Sequence, residues 1–489
     1  MNLNKLFTCL IFATLLFTSC GEDEIDPCSS TFCPDGTTEV AVGTECHCQS
    51  DNNSPCANIS CPDGFTAVAN GATCECQQNA GTVDMIAVTG LITGNETWTR
   101  DKIYVMNGKV VVSAGATLTI EAGTIIKGAK GSGSLASAMI VARGGQLIAE
   151  GTADNPIIFT SIDDQILPGE KLSPNLDETF NNLWGGLIIL GNAPISAKSG
   201  DTEAQIEGIP ADEEFGKYGG MDPEDNSGII KYVSVRHGGT LIGDNNEING
   251  ITFGGVGNGT TVEYIEVVAN LDDGVEFFGG TVNVKNVIVA NGEDDGLDID
   301  QNYSGTIENA FVIQSGATAG DNALEIDGPE GTTYTDGLFT IKNVTIIDED
   351  GGSDAAADLK SKAQGTIDGA SWRNFRTEDN VLIRASFSDD CATESGDAYA
   401  NYVGGTLKII NSEWVGSASF ADWTDVYVDD DDTNATGDVC PEPLSYDSAI
   451  TSLLEDEANN NQMVGAESRG ADKTPFEGWS WADLNDKLK

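Results

Sequence analysis

A hexapeptide recurs in this chain with its chemistry intact: DDGVEF at Asp272 to Phe277, DDGLDI at Asp294 to Ile299 and DNALEI at Asp321 to Ile326. In each copy two apolar residues flank one acid. Side chains alternate along a strand, so Val275 and Phe277, Leu297 and Ile299, Leu324 and Ile326 face inward, and Glu276, Asp298 and Glu325 face outward. The copies start at Asp272, Asp294 and Asp321, and intervals of that size suit one coil of a solenoid. Stacked coils set these acids about 4.8 Å apart along one outer face. Carboxylate oxygens so arranged suit a hard cation such as calcium, with Asp272, Asp273, Glu276, Asp294, Asp295, Asp298 and Glu325 as candidate ligands. Two carboxylates about 5 Å apart repel by roughly 3 kcal/mol at an effective dielectric of about 20. A bound cation, raised pKa values or good hydration must offset that cost.

The same face offers paired carboxylates for catalysis. Asp298 and Asp300 stand two residues apart, about 6.7 Å along a strand, a separation that inverting glycoside hydrolysis can use. Asp294, Asp295, Asp298 and Asp300 are therefore the candidate catalytic acids. A calcium-assisted lyase would also need an Arg or Lys base, yet between Gly238 and Thr340 the only basic residue is Lys285, with Arg236 just upstream. The two histidines, His47 and His237, are too few for a multi-histidine metal site and poorly suited to a triad. The residues favour binding over catalysis, with a polysaccharide-degrading enzyme as the alternative and an adhesin-like spacer as a third reading.

The elements that must position these acids are short alternating strands separated by Gly, Asn and Asp from about Met85 onward. A second strand motif recurs in GTVNVKNVIV at Gly280, GTIENAFVI at Gly305, FTIKNVTII at Phe339, GTIDGASW at Gly365 and GTLKIINSEW at Gly405. Aligned on threonine, Thr281, Thr306, Thr340, Thr366 and Thr406 mark successive coils. Two strand motifs per period predict an all-β fold, a right-handed parallel β-helix over residues 85–425, of about a dozen coils. Asn286, Asn309, Asn343 and Asn411 follow those strands and suit an amide ladder at a coil corner. Trp184, Tyr218, Phe278, Trp372, Trp414 and Trp423 are candidates for sugar stacking if exposed, and core residues otherwise. The aromatic-rich end of the chain predicts a C-terminal cap over the last coil at 446–489. The run Asp429 to Asp432 lacks the glycine placement of an EF-hand loop and reads as a solvated tip.

With 78 Asp and Glu against 24 Lys and Arg, the formal charge is −54. Such a surface attracts cations and excludes nucleic acid as a partner. The segment Met1 to Ser19 pairs one early Lys with an apolar run too short for a comfortable membrane span, and predicts a signal peptide. The ending LFTSC resembles the lipobox of bacterial lipoproteins, which implies a lipid on Cys20, and residues 20–27 form an acidic tether. Acids directly after Cys20 resemble the signal that sends Bacteroidota lipoproteins to the extracellular face of the outer membrane. Cys28, Cys33, Cys46 and Cys48 recur at one constant offset as Cys56, Cys61, Cys74 and Cys76. In an exported chain this reads as two disulfide modules, 28–48 and 56–76, of two bridges each with three possible connectivities apiece. They resemble minimal EGF-like repeats. Cys391 and Cys440 bracket an insertion near 385–445 that a disulfide would staple.

The strings GTADNPIIFTS, LWGGLIILGNAPI and DDGVEFFGGTVNVKNVIVANGEDDGLDID resemble secreted and lipid-anchored β-helix proteins of the pectate-lyase-like superfamily from Bacteroidota. The polygalacturonase pattern within that superfamily, resembled by Asp294, Asp295 and Gly296, also requires a later Gly-His-Gly and a basic RxK element. Neither follows. The reading reached is a surface-exposed outer-membrane lipoprotein that presents a calcium-stabilised β-helix for glycan or protein binding, with an outer-membrane transporter as a candidate neighbour.

Overall fold

The computed structural model describes residues 83–488 except 211–212, 243–246, 316–319, 350–352, 377–380, 388–396, 416–423, 429–462 and 465–466, together with four strands before residue 83. The chain divides into two compact units, Met1–Thr82 and Val83–Lys489. In the first, Thr37–Val42 pairs antiparallel with Glu45–Ser50, and Phe65–Asn70 with Thr73–Gln78. Each cysteine repeat thus builds one hairpin at the same offset. The signal peptide, Cys20, the tether, Cys28, Cys33, Cys56, Cys61, Cys391, Cys440, Trp423 and the Asp429 to Asp432 run lie outside the described residues.

In the second unit short strands pair in parallel with the strand one coil on, in three stacks. The sheet that carries the acids, called sheet II, stacks Leu187–Leu190, Ile251–Gly254, Val275–Phe278, Leu297–Asp300, Leu324–Ile326, Ala357–Leu359 and Val381–Ala385. Five longer strands, Gly228–Arg236, Thr261–Val268, Asn283–Ala290, Thr306–Ser315 and Phe339–Glu349, run through a corner and serve two sheets each. Their first halves form sheet III and their second halves sheet I. This is a parallel β-helix. The alternating apolar residues fill its interior: Val275, Phe277, Leu297, Ile299, Leu324 and Ile326 are at most 1 % exposed. Phe253, Phe277 and Tyr303 stack along the axis with centroids 5.3 and 4.6 Å apart.

The corner between sheets III and I is one left-handed residue per coil. Tyr232, Tyr264, Asn286, Asn309 and Asn343 occupy it at φ 50 to 63°, followed by Gly369 and Asn411. Asparagine tolerates this conformation better than other side chains because its amide can bond locally. Here Asn309 Nδ2 donates to Asn286 Oδ1 at 2.7 Å. The threonine alignment holds only in part: Thr306, Thr340 and Thr366 stack in register, whereas Asn283 and Lys408 take the places expected for Thr281 and Thr406. The two threonines sit two residues early, a shift that preserves alternation and so leaves no trace in the apolar pattern.

Two further expectations, the insertion near 385–445 and the C-terminal cap, fall only in part on described residues. Within 385–445, the described strands Leu407–Ile410, Glu413–Val415 and Thr424–Val428 continue the coils, and Met463–Val464 pairs with Glu413–Val415. Of the C-terminal segment, Met463–Val464 thus adds a strand beyond Glu413–Val415, and the described residues that follow take a further course. They run back along the outer face of sheet I, where Ser468 and Arg469 N–H groups donate to Glu413, Asp472 N–H to Asn309, and Trp481 and Ala482 N–H groups to Glu266. Phe476, Trp479 and Trp481 bury there against Ile288, Phe311 and Tyr232. Buried apolar residues on an outward sheet face provide the docking surface that the sequence could not assign to a partner.

Asn309→Ala is expected to cost about 2 kcal/mol through backbone strain and the lost amide bond, and Asn309→Gly less than half of that. Urea unfolding of both variants measures this; equal losses would mean that conformation is irrelevant at the corner.

Candidate functional site

Outward positions of sheet II change character along the axis. In register they read Val111, Ile140, Ile188, Thr252, Glu276, Asp298, Glu325, Asp358, Leu382. The three acids of the hexapeptides are therefore direct neighbours on consecutive coils. A fourth, Asp358, belongs to DAAADL at Asp354 to Leu359, which alanines disguise as a copy of the motif. The turn entering each strand adds a second acid: Asp273 and Asp295 stand one coil apart, with Asn249 before them and Asn322 after. Two adjacent coils thus contribute four carboxyls, Asp273 with Glu276 and Asp295 with Asp298.

These groups face outward from the sheet but not into water. Asp273, Glu276, Asp295 and Asp298 are only 4 to 8 % exposed. The cover includes an excursion at 191–227, between Leu187–Leu190 and Gly228–Arg236. Its two-stranded hairpin pairs Ala204–Gln205 with Lys217–Tyr218. Ile195, Ile206, Ile209 and Tyr218 pack on the apolar end of the column with Ile188 and Leu190. The Tyr218 ring lies 5.9 Å from Phe278 and its hydroxyl donates to Gln301 Oε1 at 3.1 Å. The hairpin's Glu207 accepts from Asn249 Nδ2 at 3.2 Å, and the same nitrogen donates to Glu276. Sequence reasoning does not reach the excursion, because a long polar insertion carries no periodicity.

Backbone N–H groups hold one oxygen of two acids: Asp295 N–H donates to Asp273 Oδ1 at 3.0 Å and Asn322 N–H to Asp295 Oδ1 at 2.7 Å. Asp298 Oδ1 and Asp300 Oδ1 are buried without any partner. Carboxylate oxygens from Asp273, Asp295 and Asp298 come within 4.8 Å of one another, as do those of Asp272, Asp273 and Asp294, and those of Asp294, Asp295 and Asp321. Each triad offers three oxygens of the hard type that calcium coordinates, the triads share Asp273, Asp294 and Asp295, and Asp298 Oδ1 is the unpaired oxygen among them. Asp272, Asp273, Asp294, Asp295 and Asp298 therefore converge on one cluster, with Glu276 adjoining through the strand register. Glu325 diverges, since Lys360 pairs with it. Arg384 grips Asp358 in a bidentate pair at 2.7 and 2.5 Å. The hexapeptides reveal neither cation, because each stands on a later coil than the acid it serves.

Burial, then neighbouring carboxylates, pushes Asp298, Glu276, Asp273, Asp295 and Asp300 well above the ordinary carboxylate range. Burial and the charges of Glu207 and Asp294 raise Asp272 to about 7, and burial with Asp321 raises Asp294 to about 6. As candidate catalytic acids, Asp295 and Asp298 are closed to a polymer in this arrangement. Arg236 is fully buried, bonded to Ser234 Oγ and Lys171 O beside Glu266, and cannot act as a base on an outer face. His237 is buried against Phe180 O, and burial depresses it to about 4. Trp184, Tyr218, Phe278, Trp372 and Trp414 are at most 8 % exposed, so none is a sugar platform.

Stacked parallel coils with acids concentrated on one face define a β-helix of the pectate-lyase type. The chain belongs to the pectate-lyase like beta helix domain family, which it matches over residues 90–439. Among solved structures it is similar to the Dettilon tailspike protein, at 10 % identity and a TM-score of 0.21, over 70 % of this chain and 61 % of that one. It is also similar to a tailspike protein from Acinetobacter baumannii bacteriophage Fri1, a capsular polysaccharide depolymerase, at 9 % identity and a TM-score of 0.24, over 81 % and 69 %. The chain thus spans less than two thirds of the first of these. No curated protein matches the sequence.

The raised carboxyls fix the sign of the pH response. A carboxyl whose pKa is higher folded than unfolded contributes stability below its unfolded value, near 3.8 for Asp, and loses it as pH rises through the folded value. With chelator present, the thermal midpoint is expected to fall between about pH 4 and pH 7 as Asp294 and Asp272 ionise, and Asp272→Asn is expected to flatten that fall. A midpoint that instead rises over this window in chelator would show the acids to be hydrated and unstrained.

Proposed function

We propose that this chain is an exported lipoprotein, anchored at Cys20 on the outer face of an outer membrane, whose β-helix carries a hard cation, calcium foremost, and serves glycan or protein recognition. The observation that carries the reading is the acid stack: Asp273, Glu276, Asp295 and Asp298 are buried together, while Lys360 and Arg384 serve Glu325 and Asp358 on later coils. A divalent ion supplies the missing charge with the oxygen coordination it prefers. Extracellular millimolar calcium suits such a site better than the interior of a cell does. The signal-like segment Met1 to Ser19, the lipobox-like LFTSC and the paired cysteines support export and oxidation. The cysteines are read as a disulfide stalk of two EGF-like modules. No described helix is long and apolar enough to cross a membrane, and the lipid would provide the attachment.

Recognition is assigned to the flank of the stack. A groove of about 660 Å³ runs between the excursion and the end of the ladder strand, lined by Lys198, Ser199, Thr202, Gln205, Lys217 and Gln301 among others. Hydroxyls, amides and charges of both signs suit a hydroxyl-rich ligand, and the volume is that of a small-molecule site. An outer-membrane transporter is the natural neighbour for a lipoprotein that collects glycans.

A glycan array probed with the full chain in millimolar calcium and again in chelator tests this reading. Binding to a restricted set of glycans that weakens in chelator is expected. An array blank in both conditions leaves the protein a spacer or a protein binder and removes the glycan assignment.

A further inference from the structure

Just beyond the first hairpin strand, Glu207 brings a carboxylate to a place already crowded with them. Glu207 accepts from Asn249 Nδ2 at 3.2 Å, and Glu276 and Thr252 Oγ1 accept from the same nitrogen. Asn249 is 1 % exposed, and its Oδ1 has no partner. One coil on, Asp298 is 8 % exposed with Oδ1 equally orphaned. An amide whose nitrogen serves two carboxylates while its oxygen is stranded is in the arrangement that a cation would reverse. Turned about its last torsion, Asn249 would present oxygen to the same centre as Glu207 and Glu276, a set of three hard oxygens that a divalent cation can bind.

The rest of the hairpin is fixed by other means. Ile206 and Ile209 pack with Ile188 and Leu190, and Arg143 holds Glu203 at 2.6 Å and Gly219 O at 2.8 Å. These contacts secure its base and sides. Nothing comparable among the described residues draws the Glu207 carboxylate inward, since its environment is Asn249 and the acids Glu247, Asp272 and Glu276.

We propose that Glu207, Glu276 and Asn249 form a second divalent-cation position that spans the hairpin and the ladder, so that the bound ion latches the hairpin over the buried acids. This rests on the cation reading of the ladder and adds a ligand from a separate element. Occupancy and closure are then linked reciprocally: the ion stabilises the closed hairpin, and closure strengthens binding of the ion.

Hydrogen exchange of the full chain by mass spectrometry, in chelator and in millimolar calcium, tests the latch, with thermal midpoints measured on the same samples. Calcium is expected to slow exchange of the amides at 204–209 and 217–218 by a factor between about 5 and 150. Glu207→Gln is expected to lose that slowing while keeping the calcium-dependent midpoint. Glu207→Lys, which carries its own cation to Glu276, is expected to be slow in both conditions. If calcium raises the midpoint but leaves hairpin exchange unchanged, or if Glu207→Gln responds as the parent does, the latch is wrong and the ladder site stands. If calcium moves neither quantity, the ladder site falls as well.

Discussion

Parallel stacking in strict register governs this molecule. Each coil sits about 4.8 Å from the next with equivalent residues aligned, so whatever one coil places at a position, its neighbours feel at contact distance. For apolar residues the rule builds the core: Phe253, Phe277 and Tyr303 lie on one another, as do Val275, Leu297 and Leu324. For amides it builds the corner, where Asn309 bonds Asn286. For acids the same rule is costly, since two carboxylates at that spacing repel by roughly 3 kcal/mol even in a moderately polar surrounding.

The fold meets that cost differently along the axis. At the C-terminal end of the acid column it uses its own cations, with Lys360 on Glu325 and Arg384 on Asp358. Beyond them the column returns to Leu382. On the N-terminal side the outward residues turn from Thr252 to Ile188 and Ile140, and the excursion closes over them through apolar contacts. Between these ends Glu276 and Asp298 remain with Asp273 and Asp295, buried and in no ion pair among the described residues, with Lys360, paired to Glu325, the cation that also acts on Asp298. The opposite case occurs on sheet I. There Glu266 and Glu413, also buried outward acids, each accept backbone N–H groups from the returning C-terminal segment. On sheet I the chain's own tail serves Glu266 and Glu413, whereas on sheet II Asp298 Oδ1 and Asp300 Oδ1 stay unpaired, which makes the ladder and not Glu266 the candidate site.

Much of this was legible in the sequence, for a physical reason. A solenoid repeats its local environment, so the residues that fill it must repeat too, and the three hexapeptides reveal the coil, the inward set and the alignment of Glu276, Asp298 and Glu325. Asp358 escapes because its flanking positions are alanines, which suit the core but carry no recognisable pattern. The register of Thr281 and Thr406 escapes because a two-residue shift keeps every side chain on its face. Burial of the acids was not legible. Around Glu276 it involves the excursion at 191–227, which belongs to no repeat, with Tyr218 and Glu207 reaching coils far from their own place in the chain. The same is true of the tail, whose aromatics announced a surface to cover without saying which one. Local periodicity fixes what repeats, while the parts that decide function occur once.

The central claim is that the four carboxyls on the coils of Glu276 and Asp298 hold a hard cation. Equilibrium dialysis of the full chain against trace calcium, with metal content read by mass spectrometry per mole of protein, tests it most directly. The account predicts retention of at least one calcium per chain with a marked loss in Asp298→Asn, and no such loss in Asp368→Asn, an acid away from the stack. Equal retention in both variants would place the bound calcium elsewhere on an acidic surface, and no retention by the parent protein would contradict the account outright.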